Sequence, residues 1–300
     1  MSESDGVKIN RNAMIDSFLN KLGLTLRMIK VEHSVFALPF ALISALVAAR
    51  GLPSWEVLGW ILVAMISARS CAMAFNRWAD YKFDRLNPRT SKWPLAAGLL
   101  SPWFVAAFVG VCSTVFVFAA YMLNRLAFLL SPVALFLICF YSFTKRFTLF
   151  SHWFIGLALA VGPAGAWIAV RGDLTFEPLL LSLAILFWVA GFDLIYSCQD
   201  AEFDRQNNLH SVPSRLGIST ALLLSTACHV AMILFLFAFG YVARLGACFY
   251  LGAALVAVLI FYEHTIVSAE DLSRVNEAFF TINGLISVLL LIATSLDLYL

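Results

Sequence analysis

Long apolar stretches alternate with short polar segments along most of the chain. After residue 30, stretches of about 20 mainly apolar residues recur, and a helix of that length rises about 30 Å, enough to cross the hydrocarbon core of a bilayer. The nine stretches run approximately over residues 31–49, 55–75, 102–121, 126–143, 153–170, 179–198, 221–240, 245–262 and 278–296. The pattern therefore predicts an all-α integral membrane protein with about nine transmembrane helices.

Composition agrees with a chain that lies largely within a membrane. Of its 300 residues, 62% are hydrophobic and only 13% are charged, whereas soluble domains are about one-quarter charged. Six cysteines are scattered through the apolar stretches without a C-x-x-C pair, so we expect neither a disulfide nor a zinc site. The lipid bilayer is the expected environment, and no nucleic-acid partner is expected.

Lys and Arg residues fall unequally on the two sides that the nine stretches define. Fifteen of the 20 lie on one side and four on the other, while Arg69 lies inside the second stretch. Cytoplasmic loops retain positive charge. The N-terminus and both acidic phrases described below are therefore predicted to face the cytoplasm, in the cell inner membrane.

Residues 1–30 precede the first apolar stretch and are predicted to form a cytoplasmic amphipathic leader, with residues 31–300 as a single transmembrane domain. Apolar residues from Ile15 to Ile29 recur at helical spacing, as in a helix that lies on lipid headgroups. A solvated leader without membrane contact fits the same pattern.

One phrase, D-x-x-F-D-R-x-N, occurs at residues 80–87 and again at residues 200–207. Each copy follows a long apolar stretch, and both are expected at the same face of the membrane. On a helix, steps of four residues place Asn76, Asp80 and Asp84 about 40° apart in rotation and about 6 Å apart in rise. They would form one oxygen-rich stripe.

The second copy extends backwards in the same way, because Asp193, Asp200 and Asp204 would share one face of a continuous helix. Carboxylates stacked so closely repel one another unless they are solvated, paired with a cation or bound to a metal. Mg²⁺ prefers oxygen ligands and is usually held by a few carboxylates together with substrate phosphates and waters. Two facing clusters of this kind are expected to hold Mg²⁺ against a diphosphate; a charged boundary loop with incidental spacing is the alternative.

Lys145 and Arg146 follow the fourth apolar stretch on the same predicted face. Two cations there could bind diphosphate oxygens that a metal leaves free, although the preference for positive charge in cytoplasmic loops would by itself supply them. Arg89, Lys92 and Arg215 are similar candidates.

Together these motifs resemble the UbiA superfamily of membrane prenyltransferases. The residues that carry the resemblance are Asn76-Arg77-x-x-Asp80-x-x-x-Asp84, Asn87-Pro88-Arg89-Thr90, Tyr141 with Lys145-Arg146, and Asp193-x-x-Tyr196-x-x-Gln199-Asp200-x-x-x-Asp204. The resemblance implies a bundle of nine helices around a central cavity and Mg²⁺-dependent transfer of a polyprenyl chain from its diphosphate to an aromatic ring. Another family member with a different acceptor and an ion-coupled secondary transporter are the alternatives.

Further phrases resemble a quinone-pathway subgroup, the 4-hydroxybenzoate polyprenyltransferases and their menaquinone-pathway relatives, which implies an aromatic ring acid as acceptor. They lie at residues 32–40, 209–211 and 271–276. His210 stands where many 4-hydroxybenzoate enzymes have Lys, which favours the menaquinone-type relative. Trp93 stands where relatives commonly have Arg, so either Lys92 replaces that diphosphate contact or the contact is lost.

The resemblance also implies roles for individual residues. Those expected to bind the metal are Asn76, Asp80, Asp84, Asp200 and Asp204. Those expected to bind the diphosphate are Arg77, Lys92, Lys145 and Arg146. The expected catalytic residues are Asp193, Tyr196 and Asp200. Asp193 or the diphosphate itself would accept the ring proton, and Tyr196 would steady the allylic cation or position the ring.

Overall fold

The computed structural model describes residues 21–29 and 34–300, with side chains in the second segment from Leu38 onward. Within these residues the regular secondary structure is entirely helical. The helices are α1 (residues 21–29), α2 (Ser34–Ala49), α3 (Trp55–Ala79), α4 (Tyr81–Leu86), α5 (Pro102–Leu123), α6 (Arg125–Thr144), α7 (Ser151–Arg171), α8 (Phe176–Ser197), α9 (Ala201–Gln206), α10 (Val212–Leu216), α11 (Ile218–Val242), α12 (Ala247–Thr265) and α13 (Asn283–Tyr299).

The membrane-spanning, all-α fold is confirmed. Eight of the described helical segments are long and apolar enough to cross a bilayer. The first predicted stretch, 31–49, corresponds to α2, whose described part has 16 residues. Most of the predicted leader, residues 1–20, lies outside the described part of the chain.

Local sequence explains where several helices begin and end. The Ser101 side chain accepts a hydrogen bond from the backbone of Phe104 at the start of α5, where Pro102 occupies a position that needs no N–H donor. Asn124 separates α5 from α6, caps α6 and donates to the Ile168 carbonyl of α7 at 2.7 Å. One short polar residue thus ends one span, starts the next and ties both to a third.

The most deeply buried helix is α8, which packs between α7 and α11. Trp188, Val189 and Ala190 on this helix are fully buried. Two glycines permit the close packing, because an added Cβ would overlap the Leu186 carbonyl at Gly156 and the His229 ring at Gly191. The position of α8 fixes the side chains that it contributes to the site.

One end of the bundle, where α3, α6 and α8 end, carries both copies of the acidic phrase; we call it the acidic end. Between α3 and α4 the helical hydrogen bonds continue, from the Asp80 N–H to Asn76 O at 2.9 Å and from the Asp84 N–H to Asp80 O at 2.8 Å. The predicted stripe of Asn76, Asp80 and Asp84 is therefore continuous.

The second phrase differs from the expectation of one continuous helix. A 3₁₀ turn, Cys198–Asp200, separates α8 from α9. A 3₁₀ helix has 3.0 residues per turn rather than 3.6, and so the rotation between Asp193 and Asp204 is not that of an α-helix. The three acidic residues nevertheless line the same cavity.

Candidate active site

A cavity of about 520 Å³ opens among α3, α6, α7 and α8. That volume lies in the range typical of small-ligand sites. Its wall is polar at the acidic end, whereas residues toward the opposite end of the bundle are apolar. The apolar wall includes Ile61, Met65, Leu123, Leu137, Leu159 and Leu174.

The first acidic cluster combines two carboxylates with two cations. Asn76 Nδ2 donates to Asp80 Oδ2 at 3.1 Å, and Arg146 Nη2 donates to Asp80 Oδ1 at 3.3 Å. Arg77 Nη1 lies 3.4 Å from Asp84 Oδ2. The stripe predicted on α3 and α4 is thus held in place by one cation from its own helix and one from the end of α6.

Burial and mutual repulsion make the two carboxylates in this cluster costly to ionise. Burial raises the pKa of Asp80, and the negative charge of Asp84 raises it further, while Arg146 and Arg77 act in the opposite direction. Burial likewise raises the pKa of Asp84 despite the nearby Arg77. A further cation bound here would relieve both effects.

The second cluster is joined to the first by the segment that follows α4. Asp200 accepts hydrogen bonds from Asn87 Nδ2 at 3.1 Å, from Arg89 Nε at 2.9 Å and from Arg89 Nη2. Arg89 Nη1 donates to the Tyr196 hydroxyl at 2.9 Å. Asn87, the last residue of the first phrase, and Arg89, two residues after it, therefore contact the second phrase directly.

Lys145 serves the other carboxylate of the second phrase. Its Nζ lies 3.5 Å from Asp204 Oδ2. Burial opposes the positive charge, but the carboxylates of Asp204, Asp193 and Asp200 outweigh it, and the pKa of Lys145 is raised. The four phrase carboxylates that line the cavity thus each have one cationic partner.

Asp193 and Tyr196 lie on α8, below the second phrase, and both line the cavity. Asp193 Oδ2 is paired with His152 Nδ1 at 2.7 Å. The Tyr196 ring lies 4.2 Å from the Phe279 ring, centroid to centroid. Phe279 belongs to the π-helical turn Glu277–Ile282, which precedes α13.

The structure does not bring Lys92 to the site. Lys92 is exposed and is absent from the cavity wall, where Arg89 and Trp93 are found instead. The ring of Trp93 lies 3.7 Å beneath the guanidinium carbon of Arg77. The candidate cation in this segment is therefore Arg89, which was predicted together with Lys92 and Arg215 as a possible diphosphate contact.

Arg69, which lies inside the second apolar stretch and has no role predicted from the sequence, also lines the cavity. It lies seven residues before Asn76 on α3, or about 10 Å along the helix axis. Its position inside an apolar span was the available signal, since ionisable residues there are often functional. The first six residues of the phrase at 32–40 fall outside the described side chains.

The donor set suits a metal that arrives with its substrate. Among the described residues, no three His, Cys, Asp or Glu side chains form a group that could hold a metal ion by themselves. Mg²⁺ commonly takes only one or two carboxylates from the protein and completes its shell with phosphate oxygens and waters. Two carboxylates on each side of a cavity fit that requirement, and Asn76 adds a neutral oxygen.

Comparison with known proteins gives consistent matches in sequence and in structure. The sequence profile of the UbiA prenyltransferase family matches residues 37–285. The 4-hydroxybenzoate octaprenyltransferase of Nitrosospira multiformis is 32% identical over 240 residues, which cover 77% of this chain and 80% of the relative. The enzyme of the same name from Nitrosomonas europaea is 31% identical and covers 88% and 91% of the two chains.

Two solved structures extend the comparison. The apo structure of a UbiA homolog from Aeropyrum pernix K1 superposes with a TM-score of 0.81 at 34% identity, covering 89% of this chain and 98% of that one. A UbiA homolog from Archaeoglobus fulgidus bound to DMAPP and Mg²⁺ superposes with a TM-score of 0.71 at 19% identity, covering 92% and 99%. At that identity the second match shows a shared fold.

Proposed function

Because this chain belongs to the UbiA prenyltransferase family, we propose that it transfers a polyprenyl chain from polyprenyl diphosphate to an aromatic ring acid, with Mg²⁺ as cofactor. Family membership makes it a multi-pass membrane prenyltransferase and removes the transporter alternative. The acceptor, the metal and the pathway form the proposal. It places the reaction at the cytoplasmic face of the inner membrane, within respiratory quinone biosynthesis.

The diphosphate half of the reaction is supported by the paired charges at the acidic end. Asn76, Asp80, Asp84, Asp200 and Asp204 are the residues that would hold Mg²⁺. Bound there with the substrate, Mg²⁺ would act as a Lewis acid that neutralises charge on the departing diphosphate. In the structure each of the four carboxylates is paired with a Lys or Arg side chain, so four cations are at hand to contact the phosphate oxygens.

Arg77, Arg89, Lys145 and Arg146 can exchange a carboxylate partner for a phosphate oxygen when the carboxylates take up metal. Arg77 supports this view, because its Nε is buried and has no hydrogen-bond partner among the described residues. An unpaired buried donor costs about 1–3 kcal/mol. A diphosphate oxygen would satisfy it.

The isoprenoid half is supported by the apolar wall and by aromatic rings close to the phrases. Tyr196, Phe192 and Phe279 form a cluster in which the Phe192 and Phe279 centroids are 5.2 Å apart. The faces of such rings attract a cation. They would stabilise the allylic cation, while Arg89 holds the Tyr196 hydroxyl by a hydrogen bond.

Arg69 is the observation that favours a ring acid over a neutral ring. Its Nε is buried without a hydrogen-bond partner, and the described residues form no salt bridge with it. A buried guanidinium without a counter-ion is costly. A carboxylate can pair with both edges of a guanidinium fork. An aromatic acid seated in the cavity would bring that carboxylate, and the relatives' name, 4-hydroxybenzoate octaprenyltransferase, agrees with such an acceptor.

The test is product formation by purified protein given polyprenyl diphosphate, Mg²⁺ and either 4-hydroxybenzoate or a naphthoquinone-type acid, with products identified by mass spectrometry. We expect one of the acids to be prenylated, its decarboxylated analogue to be a poor acceptor, and EDTA to stop the reaction. Equal prenylation of the decarboxylated ring would refute the proposed acceptor class.

The Arg69→Gln variant tests the residue directly. Loss of one partner from a buried, hydrogen-bonded charge pair costs about 2–5 kcal/mol, so KM for the acid should rise by roughly 30-fold or more, with little change in KM for the diphosphate. Arg205→Gln is the matched control, because Arg205 is exposed and pairs with Glu202 at the surface. An unchanged acceptor KM in Arg69→Gln would contradict the assignment.

A further inference from the structure

His152 is a fully buried histidine whose two ring nitrogens both have partners. Nδ1 lies 2.7 Å from Asp193 Oδ2, and Nε2 lies 3.3 Å from the backbone nitrogen of Val212. The His152 side chain has no exposed surface, whereas one-fifth of the Asp193 side chain is exposed. His152 thus stands behind Asp193, on the side away from the cavity.

The Val212 contact fixes the tautomer of His152. A backbone N–H can only donate, so Nε2 must be the unprotonated acceptor and the imidazole must be neutral. The single ring proton is then on Nδ1, where it is donated to Asp193. Asp193 Oδ2 is consequently occupied, and no described residue forms a hydrogen bond to Oδ1.

Asp193 lines the cavity, as do Tyr196 and Phe279 of the aromatic cluster and the apolar Val189 one turn earlier on α8. Its charge also acts on Lys145, whose pKa it helps to raise. Of the two acidic side chains on α8, Glu177 and Asp193, Asp193 lines the cavity and Glu177 does not.

We propose that His152 is a positioning residue that holds Asp193, through the Nδ1–H donor, so that Oδ1 accepts the proton from the ring carbon that has been prenylated. This role rests on the proposed function. In the step concerned, the bond between the allylic carbon and the ring has formed and diphosphate has left with its bonding electron pair. The ring C–H bond then breaks, its electrons restore the aromatic ring, and the proton passes to Asp193 Oδ1 and later to water at the acidic end.

A merely structural role is the competing explanation, since His152 also satisfies the Val212 N–H, one of the unpaired donors at the start of α10. Two substitutions separate the functions. His152→Asn can keep an amide N–H near the position of Nδ1, while it loses the acceptor for Val212. His152→Gln can keep an oxygen near the position of Nε2, while it loses the donor to Asp193.

If His152 positions the base, the kcat of His152→Asn should stay within a few-fold of the kcat of the unaltered protein. In His152→Gln, kcat should fall by roughly 10- to 100-fold, which does not exceed the contribution of a general base. KM for the acceptor should change by less than about threefold. An acceptor deuterated at the accepting ring carbon adds a sharper readout. Its isotope effect on kcat should increase in His152→Gln, because proton removal becomes slower than ionisation.

Two further measurements separate this role from loss of structure. Hydrolysis of polyprenyl diphosphate in the absence of acceptor should be unchanged in both variants, because ionisation precedes proton removal. In an Asp193→Asn background, His152→Gln should cause no additional loss of kcat.

The reverse order, with His152→Gln more active than His152→Asn, would overturn the proposal in favour of the structural role. So would equal loss of hydrolysis and transfer, or an isotope effect that does not change. If the unaltered protein hydrolyses the diphosphate but prenylates no aromatic acid, the proposed function fails and this role fails with it. If the unaltered protein prenylates an aromatic acid and the His152→Gln variant does so with the same kcat, the positioning role alone is refuted.

Discussion

Replacing Arg89 by Lys tests whether substrate turnover depends on the guanidinium that holds Asp200 of the second acidic phrase. Arg89 contacts both carboxylate oxygens of Asp200 and the Tyr196 hydroxyl, using three separate nitrogens. A lysine ammonium keeps the charge but is a point donor that cannot match this fork. We expect Arg89→Lys to preserve one contact with Asp200 and to lose the others.

The expected loss follows from these contacts. A hydrogen bond to a charged group contributes about 1.5–3 kcal/mol, and at least one such bond to Asp200 disappears. The Arg89 side chain is 31% exposed, so water replaces part of what is lost. Counting only one bond, a loss of about 1.5–3 kcal/mol corresponds to a roughly 10- to 150-fold decrease in kcat/KM for the prenyl diphosphate.

The assay is steady-state prenyl transfer at saturating Mg²⁺ and acceptor. Arg85→Lys is the matched control, because Arg85 is exposed, lies outside the cavity wall and contacts the Tyr81 hydroxyl at 3.3 Å. Arg89→Lys should also be coupled to Asp200→Asn by more than about 0.5 kcal/mol in a double-mutant cycle. Equal kcat/KM values for the Arg89→Lys and Arg85→Lys variants would refute the reasoning.

Two other predictions concern packing. Gly191→Ala would force a methyl group into the His229 ring, and overpacking of this kind costs about 1–3 kcal/mol. We therefore expect Tm in detergent to decrease by about 2–12 °C. Gly165→Ala should cause no decrease, because an added Cβ there meets no atom within 4 Å. Trp93→Ala removes the ring beneath Arg77, and with it a cation–π contact of about 0.5–2 kcal/mol. KM for the diphosphate should therefore rise about 2- to 30-fold. Trp103→Ala, at a position that is 87% exposed, should leave this KM unchanged.

The helices were predictable because apolar stretches in a membrane must satisfy their backbone hydrogen bonds internally. The last span shows where that reasoning ends. Sequence placed it at 278–296, whereas the structure has a π-helical turn at Glu277–Ile282 before α13. Asn283 donates to the carbonyl of Ala278 and accepts from Trp188 of α8 at 2.7 Å. A turn fixed by a partner on another helix leaves no periodic signal.

The acids of the site were predictable from their spacing, but the choice among nearby cations was not. Arg89 and Lys92 are three residues apart in a segment of turns, where no helical or strand period assigns a direction to a side chain. What turns Arg89 inward is Asp200, more than 100 residues away in sequence. His152 could not be singled out from the sequence for a related reason: its partner is an aspartate on another helix, and no short-range motif joins the two.

The repeated phrase itself has unequal positions. Its two Asp residues and its Phe line the cavity in both copies, including Phe83 and Phe203. Its Arg does not in either copy, since Arg85 contacts Tyr81 and Arg205 pairs with Glu202 at the surface. The cations of the site therefore come from outside the phrase.

The final Asn of the phrase makes different contacts in the two copies. Asn87 donates to Asp200 of the other copy, whereas Asn207 donates to the Phe203 carbonyl of its own helix. Loss of the Asn87 amide would loosen the contact between the two loops, while loss of the Asn207 amide would affect only the end of α9. The Asn of the first phrase therefore contacts the second phrase, whereas the Asn of the second phrase contacts only its own helix. Arg89 follows the first copy of the phrase, whereas none of the four cations that pair with the phrase carboxylates follows the second copy.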